Sequence, residues 1–150
     1  MIAQYQNRYF CVDTNVTPIH IWAYIPVDGF EKKTTRRGTV YYESFIDVNE
    51  IDKIFEVAFA VEWNEHWFGA DYLSTSESVR LFSSDADIIE KFNMNEFERG
   101  AWDLYADLDT CSGFKVTYKD CRTGVYSSQI VSKEEWTNLW NKLIVELLPH

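Results

Sequence analysis

The side chains here with the greatest chemical potential are three histidines, three cysteines and a large set of carboxylates, and their spacing decides what they could do. His66 lies in Glu62-Trp63-Asn64-Glu65-His66-Trp67. Two carboxylates and an imidazole so close together could hold a divalent metal or share acid–base work. The spacing matches neither His-Glu-x-x-His nor its inverted form, because the first ligand would be a glutamate. His20 sits in the apolar run Ile19–Ile25 and reads as a hydrogen-bonded strand residue, and the terminal His150 reads as frayed. Cys11, Cys111 and Cys121 form no Cys-x-x-Cys pair and no zinc-ribbon spacing. Gly-x-Ser-x-Gly and the glycine-rich phosphate loops do not occur either. With 24 acidic residues, a glycosidase-like carboxylate pair is always available, so abundance alone carries no information. The expected class is a binding protein rather than an enzyme, with no cofactor and no bound metal.

Charge says more. The net charge is −10, and it is unevenly spread. From Glu43 to Asp109 there are 17 acidic and 4 basic residues, a balance of −13, whereas the rest of the chain stands at +3. Four of the remaining bases crowd into Lys32-Lys33-Thr34-Thr35-Arg36-Arg37. Such a field repels nucleic acid and anionic membranes and attracts basic proteins. It also serves solubility alone in many acidic proteins. No apolar run approaches the length of a membrane span, and no leader peptide is visible at the N-terminus. An odd cysteine count without a leader points to reduced thiols and a cytoplasmic location.

The elements that must position these residues follow from periodicity. Residues 54–63 alternate Phe55, Val57, Phe59, Val61 and Trp63 against Glu56, Ala58, Ala60 and Glu62, which predicts a central strand with one dry face. Residues 2–12 predict two short strands around Gln6-Asn7 or one bent strand, 19–25 another, and 39–48 a strand pairing with 54–63. The stretch 31–37 reads as a basic loop, and 64–72 as a loop dense in aromatics and acids. Ser78–Phe82 is a short strand. Ser84 with Asp87 is a capping box for a helix through Ile88, Ile89 and Phe92 that ends near Asn93 or continues to Arg99, with Gly100 as its C′ residue. Residues 101–109 fit a helix or a strand, and the strand is preferred because a meander through 114–119 and 125–131 follows it. Ser132 and Glu135 then cap a last helix whose apolar stripe is Trp136, Leu139, Trp140, Leu143, Ile144 and Leu147. The whole reads as one α+β domain over residues 1–150, a mainly antiparallel sheet packed by a C-terminal helix and one shorter helix.

On a strand, Asp103, Tyr105, Asp107 and Asp109 would project from one face about 7 Å apart. Glu56 and Glu62 would extend that surface if strand 54–63 lay beside it. The expected partner-binding set is therefore Glu62, Glu65, Trp67, Asp71, Tyr72, Asp103, Tyr105, Asp107 and Asp109, with the aromatics as anchors among the charges.

The order Tyr118-Lys-Asp-Cys-Arg122-Thr123-Gly124, a further strand, and Ser132-Lys-Glu-Glu135-Trp136 opening a terminal helix resembles some bacterial immunity proteins of contact-dependent growth inhibition and related polymorphic toxin systems. The resemblance implies an α+β cytoplasmic inhibitor of one toxin domain, often a basic nuclease. It transfers no site residues. The alternatives are a phage or plasmid anti-defence protein imitating the charge of DNA, or a small enzyme centred on Glu62, Glu65 and His66.

Overall fold

The computed structural model describes residues 1–149, so His150 lies outside the described residues. Strands take 51% of the chain and helices 17%, so the fold is α+β with the sheet dominant. The chain packs as two compact units, one formed by Met1–Val57, Tyr118–Ser127 and the residues from Asn138 on, the other by Ala58–Thr117 and Ser128–Thr137.

The first unit contains strands β1 (Ile2–Tyr5), β2 (Arg8–Asp13), β3 (Ile19–Ala23), β4 (Glu31–Thr34), β5 (Val40–Ile46) and the opening residues of β6 (Lys53–Trp63), in the order β4-β5-β3-β2-β1-β6. Gln6 and Asn7 both take positive φ (49° and 60°), the conformation a two-residue hairpin turn requires, so β1 and β2 form the expected hairpin. Register places Ala3, Phe10, Val12, Ile21 and Ile54 on one face, where they form the core with Ile19, Ile46 and Ile51.

Two expectations change here. The basic stretch is half strand, because Lys32 pairs with Tyr42 and Lys33 with Tyr41. Strand β5 pairs with β3 and β4 and not with β6, whose neighbours are β1, β7 (His66–Leu73) and β11 (Gly113–Asp120). Turn chemistry explains both: residues 35–39 close a hairpin, with Gly38 at φ 88°, so β5 must return beside β4.

The second unit takes β6 from Ala58 onward, β7, β8 (Ser78–Ser83), β10 (Ala101–Asp107) and β9 (Asn95–Glu98) as successive neighbours. It also holds the first part of β11 and the end of β12 (Tyr126–Val131), which pairs with β11. Residues 66–73 are a strand rather than the expected loop. Asn64 and Glu65 adopt φ 46° and 66° and turn the chain tightly, and Phe68 and Ala70 then alternate inward against Trp67, Gly69 and Asp71. Helix α1 (Ala86–Lys91) starts one residue later than the capping box suggests. Its N-cap is Asp85, which accepts hydrogen bonds from the amides of Asp87 and Ile88. Asn93, at φ 50°, follows its end, and β9 occupies part of the stretch into which the helix was allowed to continue.

Helix α2 (Lys133–Leu143) is capped by Ser132, whose hydroxyl accepts from the Glu135 amide at 3.1 Å. Trp136, fully buried, meets Phe59, Tyr72 and Phe114 at ring-centroid distances of 5.5, 6.0 and 5.6 Å. Phe92, just past α1, meets Trp63, Phe68 and His66. Both helical segments therefore lie against the same face of the second unit's strands, and the other face is left open.

Candidate protein-binding face

Pairing register decides which side chains share the open face. Glu62 stands opposite Trp67, and Ala60 opposite Gly69. Asp71 is opposite Arg80, which is opposite Tyr105; Phe82 is opposite Asp103, and Ser78 opposite Asp107. Since side chains alternate along a strand, Glu62, Trp67, Asp71, Asp103, Tyr105 and Asp107 all emerge on one side. Six of the nine expected residues are thus brought to a common surface from three strands. Trp67 is 40% exposed and Tyr105 57%, so both present apolar rings to solvent. Between them on this face stand Gly69, Phe82 and Arg80, while Ala60 lies on β6, on the far side of Trp67 from Tyr105.

The other three are placed differently. Tyr72 alternates to the covered face, against Trp136. Glu65 sits in the exposed β6–β7 turn. Asp109 lies beyond the strand in a 3-10 turn (Leu108–Thr110), where its carboxylate accepts from Lys133 at 2.7 Å. That pairing raises the pKa of the Lys133 ammonium, and it answers the charge of Asp109 within the chain. Glu56 belongs to the first unit, and β7 and β8 separate β6 from β10, so no row runs straight from Glu62 to Asp103.

The acidic row is also interrupted from within. Asp103 is only 5% exposed and accepts from Arg80 Nε at 2.7 Å. The guanidinium lies 4.2 Å from the Phe97 ring centroid and 4.9 Å from that of Phe82, which holds the fork in place. The hydrogen bond to Asp103 is the main cause holding the Arg80 pKa above its ordinary value. Asp71, half-buried on the next strand, has its carboxyl pushed upward by burial, with the charge of Arg80 pulling partly back. Asp103 is therefore a structural anchor, while Glu62, Asp71 and Asp107 remain as charged groups of the face.

Gly113 shapes the other end. A Cβ at this position would stand 3.0 Å from Trp67 Cη2 and 3.2 Å from Glu62 Cβ, so the indole lies directly against the β11 backbone. Lys115 Nζ is 4.5 Å from the Trp67 ring centroid, and Ser112 donates to Glu62 Oε1 at 2.9 Å. Trp67 is thereby pre-oriented as a fixed aromatic platform. Arg80, Ser112, Gly113 and Lys115 escape sequence reasoning because their roles come from neighbours in other strands. Arg80 alone left a trace, as a base inside the alternating run Ser78–Phe82.

The acid–base cluster does not assemble. Glu62 is on the open face and His66 on the covered one, where its Nε2 is 3.0 Å from Lys91 Nζ. Among the described residues no group of three or more His, Cys, Asp or Glu side chains is placed to hold a metal ion. The three cysteines are free. Burial pushes the Cys111 thiol up to about 11 and raises that of Cys11, so neither supplies an appreciable thiolate at neutral pH. His20 donates to the Glu43 carboxylate at 2.6 Å, as a strand histidine with a hydrogen-bond partner should. Among the described residues, no helix is long and apolar enough to cross a membrane.

Comparison with protein-family models, curated proteins and solved structures returns no match.

Proposed function

We propose that the protein is a stoichiometric inhibitor, an immunity protein that neutralises a basic, nuclease-type toxin domain through the open face of its second unit. The single observation that carries this reading is the composition of that face. Two exposed aromatics, Trp67 and Tyr105, stand on one face, with Glu62, Asp71 and Asp107 around them. Aromatic anchors amid polar groups form the working part of protein interfaces. Burial raises the pKa of the half-buried Asp71 carboxyl, a desolvation penalty that the charge of a cationic partner would offset.

Imitation of DNA is less well supported. A phosphate mimic needs an uninterrupted run of charge, and Arg80 stands in the middle of this one.

The test is binding to the toxin domain encoded beside this chain's gene, measured by calorimetry. Trp67→Ala and the pair Glu62→Lys/Asp107→Lys should each weaken affinity at least about tenfold. All three positions are partly or fully exposed, so the variants should stay folded. Unchanged affinity in both would discard the face, and absence of any toxin binding by the parent would discard the function.

A further inference from the structure

The basic stretch of the first unit is unused by this reading, and the structure gives it a definite setting. The turn between β4 and β5 is cross-tied: the Thr35 amide donates to the Thr39 carbonyl at 2.9 Å, the Gly38 amide to the Thr35 carbonyl at 3.0 Å, and the Thr39 amide to Thr35 Oγ1 at 3.1 Å. It carries Arg36 and Arg37 at the rim of a pocket of about 510 Å³, whose walls include His20, Trp22, Tyr41 and Thr39.

Among the described residues, the negative charge near this pocket is already engaged. Glu43 accepts from His20 at 2.6 Å and lies 3.9 Å from Lys33, which is itself paired with Glu31 at 2.7 Å. Among the described residues, neither Arg36 nor Arg37 has a carboxylate within ion-pair distance. Two adjacent guanidinium groups held on a tied turn form a fork suited to a phosphate. The floor is aromatic: His20, which lines it, is stacked on Trp22 (5.0 Å, 25°) and on Phe45 (4.9 Å, 19°). The bond to Glu43 fixes the imidazole within that stack.

We infer that this pocket binds a nucleoside phosphate, its base against the Trp22 and Tyr41 walls and its phosphate in the Arg36–Arg37 fork. A free anion would leave the aromatic floor unused, and a neutral ring would leave the arginines unanswered. The volume falls in the range of small-ligand sites. The site lies wholly in the first unit, so it stands or falls independently of the toxin-binding face.

The experiment is a titration of the intact chain with the 5′-monophosphates of adenosine, guanosine and uridine, and in separate arms with the nucleosides and inorganic phosphate, followed by amide chemical shifts. Saturable binding of at least one monophosphate is expected, with shifts concentrated in residues 20–24 and 35–43. The nucleosides and inorganic phosphate should each bind at least about tenfold more weakly, since each makes half the contacts. Arg36→Ser/Arg37→Ser, on an exposed turn, should weaken the monophosphate at least about tenfold, and Arg36→Lys/Arg37→Lys, which keeps the charge but loses the fork, by less. No saturable monophosphate binding, equal binding of inorganic phosphate, or binding indifferent to the serine pair would each overturn the assignment.

Discussion

At the scale of single residues, the second unit is governed by how carboxylates are satisfied. Asp103 is buried and depends on Arg80, whereas Arg80 retains some contact with water and two aromatic neighbours. Removing the two partners is therefore unequal. Arg80→Met strands a buried charge and should lower the Tm by roughly 5–10 °C. Asp103→Asn keeps an acceptor for the guanidinium and should lower it by less, and thermal unfolding of the two variants checks the order. Asp71 works in the opposite direction. Its folded pKa is raised, so the unfolded chain ionises first as pH climbs through the carboxylate range, and stability is lost there and stays lost at neutral pH. Asp71→Asn should therefore be the more stable protein at pH 7 and lose that advantage below about pH 3, where both states are protonated. Urea unfolding at the two pH values reads this directly; equal gains at both would separate the effect from ionisation. A residue that lowers stability while facing solvent on the proposed interface has the signature of a functional compromise.

At the scale of elements, hairpin turns decide which faces exist. The β6–β7 turn forces Asn64 and Glu65 to positive φ, a conformation that suits asparagine and strains glutamate. Glu65→Gly should stabilise the protein by about 1 kcal/mol in urea titrations. If Glu65 touches the partner, the same substitution weakens binding, so the two readouts moving in opposite directions would mark it as an interface residue. Alternation made strand β6 and the Asp103–Asp107 row legible in sequence. The His66–Leu73 strand was hidden because Gly69 and a cluster of aromatics on both faces blurred its period of two. The Ser132 cap and the stripe led by Trp136 were also legible, since capping and helical spacing are local signals.

At the scale of the whole molecule, charge divides between the two units. The first has 10 acidic and 9 basic residues, a balance of −1, and the second 14 and 5, a balance of −9. Association with a basic partner should accordingly be steered by the second unit. The association rate should fall at least about tenfold between low and high salt, because exposed charges are screened beyond a Debye length of about 8–10 Å. Glu62→Lys/Asp107→Lys should flatten that dependence, and Glu50→Lys/Asp52→Lys, in the first unit, should leave it nearly unchanged. Stopped-flow association at several ionic strengths distinguishes the two, and equal slopes for both pairs would remove the second unit from its steering role.

Local information in the chain was enough to specify most strands, the two helices, the hairpin turn at Gln6-Asn7 and the concentration of acid between Glu43 and Asp109, because each is written within a few residues. Which strand lies beside which was not, and that ordering settled the rest. Pairing β7 and β8 between β6 and β10 put Arg80 among the carboxylates, buried Asp103 and sent Tyr72 to the covered face. Charge neutralisation is a matter of proximity across strands, and proximity belongs to the folded chain alone.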